Sequence, residues 1–243
     1  MALRINTNIA ALNAHRQLLG TESKLNLSME KLSSGYRINR ASDDAAGLAI
    51  ANRLRVNVRS LNVASRNVVE GKSLLQVAEG SANQIEGILE RMKELATQAA
   101  SANAGTDLDK LDAEYQTLIE EIDRIVEDSE YQGTPLLDGS FSGTFQVGSG
   151  GVAAADQINI SIGELSSSGL EIAAALDSAE NAVTAIGEID DAIDALAEVL
   201  GDIGASMNRL DFTYSNLQVQ IENFSASESV IRDVDMASEM VNF

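Results

Sequence analysis

The chain has 243 residues, 44% of them hydrophobic, with no Cys, no Trp, a single proline at Pro135 and a net charge of −20. The lack of cysteine excludes disulfides, thiolate metal sites and cysteine nucleophiles, and no apolar run approaches the ~18 residues that span a bilayer. The acidic balance argues against nucleic acid as a partner.

Charge is unevenly spread, with ten Lys/Arg against four acids up to Arg66 and all of the negative excess beyond it. A basic arm on an acidic body predicts pairing with the acidic part of a neighbouring copy. The opening MALRINTNIAALNAH lacks the apolar core and cleavage site of a secretory signal, so export would need a route without signal-peptide cleavage.

Residues 1–33 read as a helix with a frayed start, carried by Ile5, Ile9 and Leu12 and then by Leu18, Leu25 and Leu32 at seven-residue spacing, with Met29 between. Its apolar face is modest, which predicts a segment that stays disordered until a partner helix arrives. Gly35 suits a C-terminal cap. Residues 36–42 read as a connector, and Ser42 followed by Asp43 and Asp44 reads as an N-cap with two carboxylates on the positive end of a helix dipole.

The second helix is expected from about Asp44 to Ala100, its seam formed by Leu54, Val58, Leu61, Val68, Leu75, Ala78, Ala82, Ile85, Met92 and Leu95, less strictly than in the last helix. Gly71, Gly80 and Gly87 each weaken it by about 1 kcal/mol relative to Ala while permitting close approach of a neighbour. The stretch Ser101 to Gly105 is a turn, and Thr106 or Asp107 caps a third helix, from about Asp107 to Ser129, with Leu108, Leu111, Tyr115, Leu118, Ile122 and Ile125 as its stripe. So short a turn predicts an antiparallel helical hairpin. From Tyr131 to Gly163 the pattern changes to turn residues and two alternating runs, Phe141–Val147 and Gln157–Ile162, expected to form a β-hairpin.

Helix is expected again from Leu170 to Asn242. Within it Ile186, Ile189, Ile193, Leu196, Leu200, Ile203, Met207, Leu210, Tyr214, Leu217, Ile221 and Phe224 alternate at spacings of three and four over 39 residues, about 58 Å of helix. That is the seam of a left-handed coiled coil, and Glu188, Asp190, Asp191, Asp194, Glu198 and Asp202 are expected on its solvated face. The fold class is therefore mainly α, an elongated antiparallel helical bundle or coiled-coil rod with a small β-hairpin region.

Candidate chemistry is sparse. Gly71-Lys72-Ser73 ends like a phosphate loop, but Arg66 stands where the first glycine belongs and no strand precedes it. The clusters Glu120-Glu121-Asp123 and Asp190-Asp191-Asp194 lie off the apolar stripes and read as solvated surface rather than catalytic or metal carboxylates. Asp107-Leu-Asp109 starts like a calcium loop without the required glycine. His15 is the only histidine and has no companion to form a triad or zinc site. No catalytic, cofactor-binding or metal-binding residue is assigned, and an enzyme is not expected.

The stretches Ser33–Arg55 (SSGYRINRASDDAAGLAIANRLR) and Glu90–Ala100 (ERMKELATQAA) resemble the two most recognisable segments of bacterial flagellin. MALRINTNIAALNA resembles its N-terminus and Ser215–Met240 its C-terminal helix. The resemblance covers the chain except residues 135–185 and implies a structural subunit of the flagellar filament, a short form of the family.

By that likeness residues 1–42 are a filament-core segment, 43–130 the first helices of a rod domain, 131–169 its β-hairpin cap and 170–243 its C-terminal long helix. The family continues past the position of Phe243 with a further apolar helix, and this sequence is expected to lack that partner of residues 1–33, and with it the site for the export chaperone. The resemblance further implies type III export to the cell exterior, self-polymerisation, and flagellar cap and hook-junction proteins as partners. It also implies recognition of the rod by a vertebrate Toll-like receptor, at residues matching Arg91, Leu95 and Glu114, with Arg91 and Leu95 expected exposed one turn apart. The rival readings are the hook–filament junction protein, or a coiled-coil adaptor or receptor ligand that never polymerises.

Overall fold

The computed structural model describes residues 8–101 and 108–243. The first helix, α1, spans Ile9–Ser34. Asn8 caps it, its side-chain oxygen accepting from the Ala11 N–H at 3.1 Å, and Gly35 ends it in the left-handed region at φ 73°, a conformation that glycine adopts without strain. The connector that follows is organised by Asp43, whose Oδ2 accepts from the backbone N–H groups of Arg40 (2.9 Å) and Asn39 (3.1 Å). Those bonds, Arg40 first, hold its carboxyl below the usual carboxylate range.

The second helix, α2, runs Ala45–Ala99. Its cap is Asp44, which accepts from the Gly47 N–H at 2.9 Å. The cap expected at Ser42 therefore falls two residues later, because Asp43 is turned back onto the connector. Helix α3 is Leu108–Asp128; the caps expected at Thr106 and Asp107 lie outside the described residues.

Beyond α3, β1 (Glu130–Tyr131) and β2 (Thr134–Pro135) pair antiparallel around Gln132 and Gly133, both at positive φ, an unforeseen tight turn. Strands β3 (Ser142–Gln146) and β4 (Gln157–Ser161) pair antiparallel from Ser142 opposite Ser161 to Gln146 opposite Gln157. The expected hairpin is thus present, with a one-turn helix, α4 (Ala153–Asp156), in its connection.

The last long helix, α5, spans Ala179–Arg232, and a short α6 follows at Met236–Asn242. Two corrections to the expected helix from Leu170 to Asn242 follow. It starts nine residues late, because the backbone of residues 167–176 is taken by carboxylates of α3 and α5. Asp123 accepts the Ser167 N–H at 2.8 Å, Glu188 accepts those of Ala173 (3.0 Å) and Ala174 (2.9 Å), and Asp112 accepts that of Leu176 at 2.7 Å. It also breaks after Arg232, where Tyr36 and Asp233 form a β-bridge and the Val234 N–H donates to the Gly35 carbonyl at 3.0 Å. Asp235 then caps α6, accepting from Ala237 and Ser238.

Helices α2 and α5 each contribute to two compact units, one of Met1–Leu61 with Val219–Phe243 and one of Asn62–Gln218. In the second unit the two helices are antiparallel in one unbroken register. Gln218 bonds to Ser65; seven residues on along α2 and seven back along α5, Lys72 pairs with Asp211; a further 21 along each, Lys93 pairs with Asp190.

On the buried face of α2 in this unit, Ala64, Val68, Gly71, Leu75, Ala78, Ala82, Ile85, Leu89, Met92, Ala96 and Ala99 alternate strictly at four and three residues, with Ser65, Leu74 and Leu95 buried beside them. The expectation that it is less regular than the seam of α5 is corrected: it is as regular, and richer in small residues. At Gly71 an added Cβ would meet the Phe145 ring at 3.2 Å and Leu210 at 3.4 Å, so here the small residue does admit a neighbour.

On α5, Ile189, Leu196, Ile203, Leu210 and Leu217 are buried at seven-residue intervals. The other column of the expected seam is not buried, and at its first two positions the residue before it is buried instead. Ile186, Ile193, Leu200 and Met207 are half-buried and Tyr214 is exposed, while Ala185 and Ala192 are buried in their place. Ile221 and Phe224 are half-buried within the first unit.

Candidate functional site

Arg91 lies on α2, half-exposed, with its guanidinium between two carboxylates. Nη2 and Nε donate to Glu114 Oε1 at 2.8 and 3.1 Å, and Nη1 donates to Glu94 Oε2 at 2.8 Å. Glu114, then Glu94, push its pKa above the ordinary arginine value. Two of the three residues predicted as receptor contacts, Arg91 and Glu114, are therefore together at the surface, and the bond between them joins α2 to α3.

Leu95 is different. It is 1% exposed, so the expectation of an apolar contact one turn from Arg91 is corrected. Its position faces inward beside the strict column at Met92 and Ala96, and its side chain anchors the helix that displays Arg91. The neighbouring open groove is lined by Glu90, Lys93, Glu94, Thr97, Gln98 and half-buried Ile193. Glu94 was legible as an i,i+3 partner of Arg91 and was passed over.

A second surface is apolar. Helix α1 has no buried residue, and Ile9, Leu12, Leu18, Leu19, Leu25, Leu27 and Met29 are exposed along it. In the same unit Met236, Met240, Val241 and Phe243 are exposed at α6, and Ser28 Oγ donates to Glu239 Oε1 at 2.6 Å, joining the two helices. The Arg232 guanidinium stacks 4.1 Å from the centre of the Tyr36 ring at the base of this pair. Surfaces this apolar mark association sites.

The carboxylates set aside as solvated need correction in part. Asp123 also accepts the Ser167 hydroxyl at 2.8 Å, and half-buried Glu188 holds two backbone N–H groups, so both are structural acceptors. Glu121 pairs with Arg124 at 2.6 Å. Gly71-Lys72-Ser73 is helical, with Lys72 spent on Asp211 and Ser73 Oγ donating to the Val69 carbonyl. Among the described residues no group of three His, Asp or Glu is placed to hold a metal ion, and no helix is long and apolar enough to cross a membrane.

What this arrangement can do is associate: it offers helices with unpartnered apolar faces and charged exposed stripes, the equipment of an assembling structural protein. Residues 5–142 match the family description "Bacterial flagellin N-terminal helical region" and residues 186–243 "Bacterial flagellin C-terminal helical region". The flagellin of Halalkalibacterium halodurans is 42% identical over 98% of this chain and 89% of its own length, and that of Bacillus subtilis is 39% identical over 99% and 90%. The flagellar filament 33 kDa core protein of Treponema phagedenis is 37% identical over 98% and 89%. The crystal structure of Bacillus cereus flagellin superposes with a TM-score of 0.56 at 31% identity, covering 67% of this chain and 94% of that one. The chain belongs to the bacterial flagellin family.

Proposed function

We propose that this protein is the repeating subunit of a flagellar filament, exported without signal-peptide cleavage and polymerised outside the cell through its helices. The observation that carries the reading is α1: 26 residues of helix with an apolar stripe and nothing buried. A helix of this kind is marginal in water alone and gains its stability from a packed face. In a polymer of copies, burying each of its large apolar side chains contributes about 1.5–3 kcal/mol, which offsets the ordering of the segment. Partners of the growing polymer would be the flagellar cap at its tip and the hook-junction proteins at its base.

Electron microscopy of the protein after seeded assembly tests this. Fibres of uniform width are expected. Protein that stays monomeric at high concentration would favour the non-polymerising adaptor, and growth confined to a short collar on hook ends would favour the junction protein.

The exposed Arg91–Glu114 pair supports a second role, recognition of the unassembled subunit by a vertebrate Toll-like receptor. An arginine already oriented by a carboxylate presents its guanidinium plane at low entropic cost. Arg91→Ala is expected to weaken binding to the receptor ectodomain at least tenfold. Leu95→Ala should act through lost helix stability, seen as a lower melting temperature. Unchanged binding by the Arg91 variant would remove this role.

A further inference from the structure

The chain has no Cys and no Trp but six methionines, so its thioethers are the side chains that a peroxide oxidises first. Their placement is uneven. Of the five among the described residues, Met92 is 0% exposed on the packed face of α2 and Met207 is half-buried on α5. The other three lie on the end helices: Met29 of α1 is 52% exposed, and Met236 and Met240 of α6 are 47% and 60% exposed.

Those three belong to one apolar surface within a single compact unit. Ser28 Oγ donates to Glu239 Oε1, and Met29 and Met240 are the next residues along each helix, so both are carried on the turns where α1 and α6 meet. Met236 stands one turn from Met240, and Leu25 one turn from Met29, all four exposed.

Leucine at these three positions would keep the helices and bury as much apolar surface, since the two residues match in helix propensity and volume. What the thioether adds is a sulfur lone pair open to solvent. It attacks one oxygen of hydrogen peroxide, the O–O bond breaks, and that oxygen's proton passes to the departing hydroxide, which leaves as water. The sulfur gives up two electrons to become a sulfoxide, and the peroxide is reduced. The side chain changes from flexible and apolar to polar, and burying its S=O group without a donor is unfavourable.

We propose that Met29, Met236 and Met240 are a reversible oxidation site, at which a peroxide converts the unassembled subunit to a sulfoxide form that does not bury its α1–α6 surface in the polymer. A methionine sulfoxide reductase reverses the change: the sulfoxide oxygen leaves as water while two thiols of the reductant become a disulfide. The inference rests on the polymerising reading above and adds a chemical control to it.

The test treats the full chain with hydrogen peroxide, maps the oxidised peptides by mass spectrometry and follows seeded assembly by sedimentation, with circular dichroism as the control for folding. Met29, Met236 and Met240 should gain oxygen at least tenfold faster than Met92. The treated chain should need at least tenfold more protein to assemble, with unchanged helix content, and should recover after reductases A and B with dithiothreitol. M29L/M236L/M240L should assemble as the parent does and continue to do so after peroxide. The mapped rates need no variant. Met92 oxidised as fast as Met29, a treated parent that assembles unimpaired, failure to recover on reduction, or a treated triple variant as impaired as the treated parent would each overturn the site. An untreated parent that never assembles would sink the polymerising reading, and this proposal with it.

Discussion

Tyr115 of α3 has a buried side chain whose hydroxyl finds no hydrogen-bond partner among the described residues. Burial first, then the charges of Glu188 and Asp112, push its pKa up to about 12. The neutral phenol is the form the fold tolerates, while the unfolded chain ionises near 10. Between those values the unfolded state has released a proton that the folded state keeps, so stability is intact below pH 10 and falls as pH rises toward 12, by roughly 2–3 kcal/mol. Tyr115→Phe should abolish most of that alkaline slope in urea titrations and cost little at pH 7, because the lost hydroxyl was unpaired. Equal slopes in parent and variant would show the phenol to be solvated.

The glycines of α2 separate at the same scale. Gly80 and Gly87 have open space where a Cβ would stand, so Gly80→Ala and Gly87→Ala should each raise stability by up to about 1 kcal/mol. Gly71→Val must displace Phe145 and Leu210 and should lower it by about 1–3 kcal/mol. A melting-temperature series over the three variants reads both signs.

At the scale of elements, the two columns of α5 differ in what they bury. Leu196→Ala empties a position in the buried column and should cost about 2–5 kcal/mol. Leu200→Ala, at a half-buried position, should cost clearly less. Comparable losses would mean that the seam is symmetric, as periodicity alone suggests. That contrast also measures how far the helices could be read in advance. The column through Ile189, Leu196, Ile203, Leu210 and Leu217 was legible because large side chains mark it. Its companion was not, since Ala185 and Ala192 are buried while the bulkier Ile186 and Ile193 stand one residue over. A reading that weights size favours the wrong neighbour wherever backbones approach closely. On α2 the sequence pattern leaves out Ala64, Leu89, Ala96 and Ala99, and it places Leu95 both on the seam, where it is found buried, and at an exposed contact, where it is not found. The late start of α5 was hidden for another reason. Ile172 to Leu176 has helical composition, and only the third dimension brings Asp112 and Glu188 to its backbone N–H groups and Asp123 to that of Ser167 before it. The break at Asp233–Asp235 has one signal in the sequence, Asp235, a residue type suited to an N-cap.

For the molecule as a whole, the distribution of burial separates segments that are stable in a single copy from one that gains its protection in company. Helices α2 and α5 share a buried column through the unit Asn62–Gln218, whereas α1 buries none of its residues. Opening α1 exposes little apolar surface that is not already wet, so its amides should exchange by local fraying at low free-energy cost. Those of Ile189–Leu217 should exchange only through opening of the packed unit. Hydrogen exchange on the unassembled chain is therefore expected to label Leu12–Leu27 within minutes and to leave Ile189–Leu217 protected for hours. In assembled fibres the α1 amides should slow at least a hundredfold, which at 1.4 kcal/mol per tenfold corresponds to about 3 kcal/mol gained from neighbours, close to the burial of one or two leucines. If α1 in the unassembled chain proved as slow as α5, its protection would have to come from within one molecule, and the exposed leucines would no longer argue for a polymer. Equal exchange in monomer and fibre would show that α1 stays unpacked in both, and that copies are held together without it.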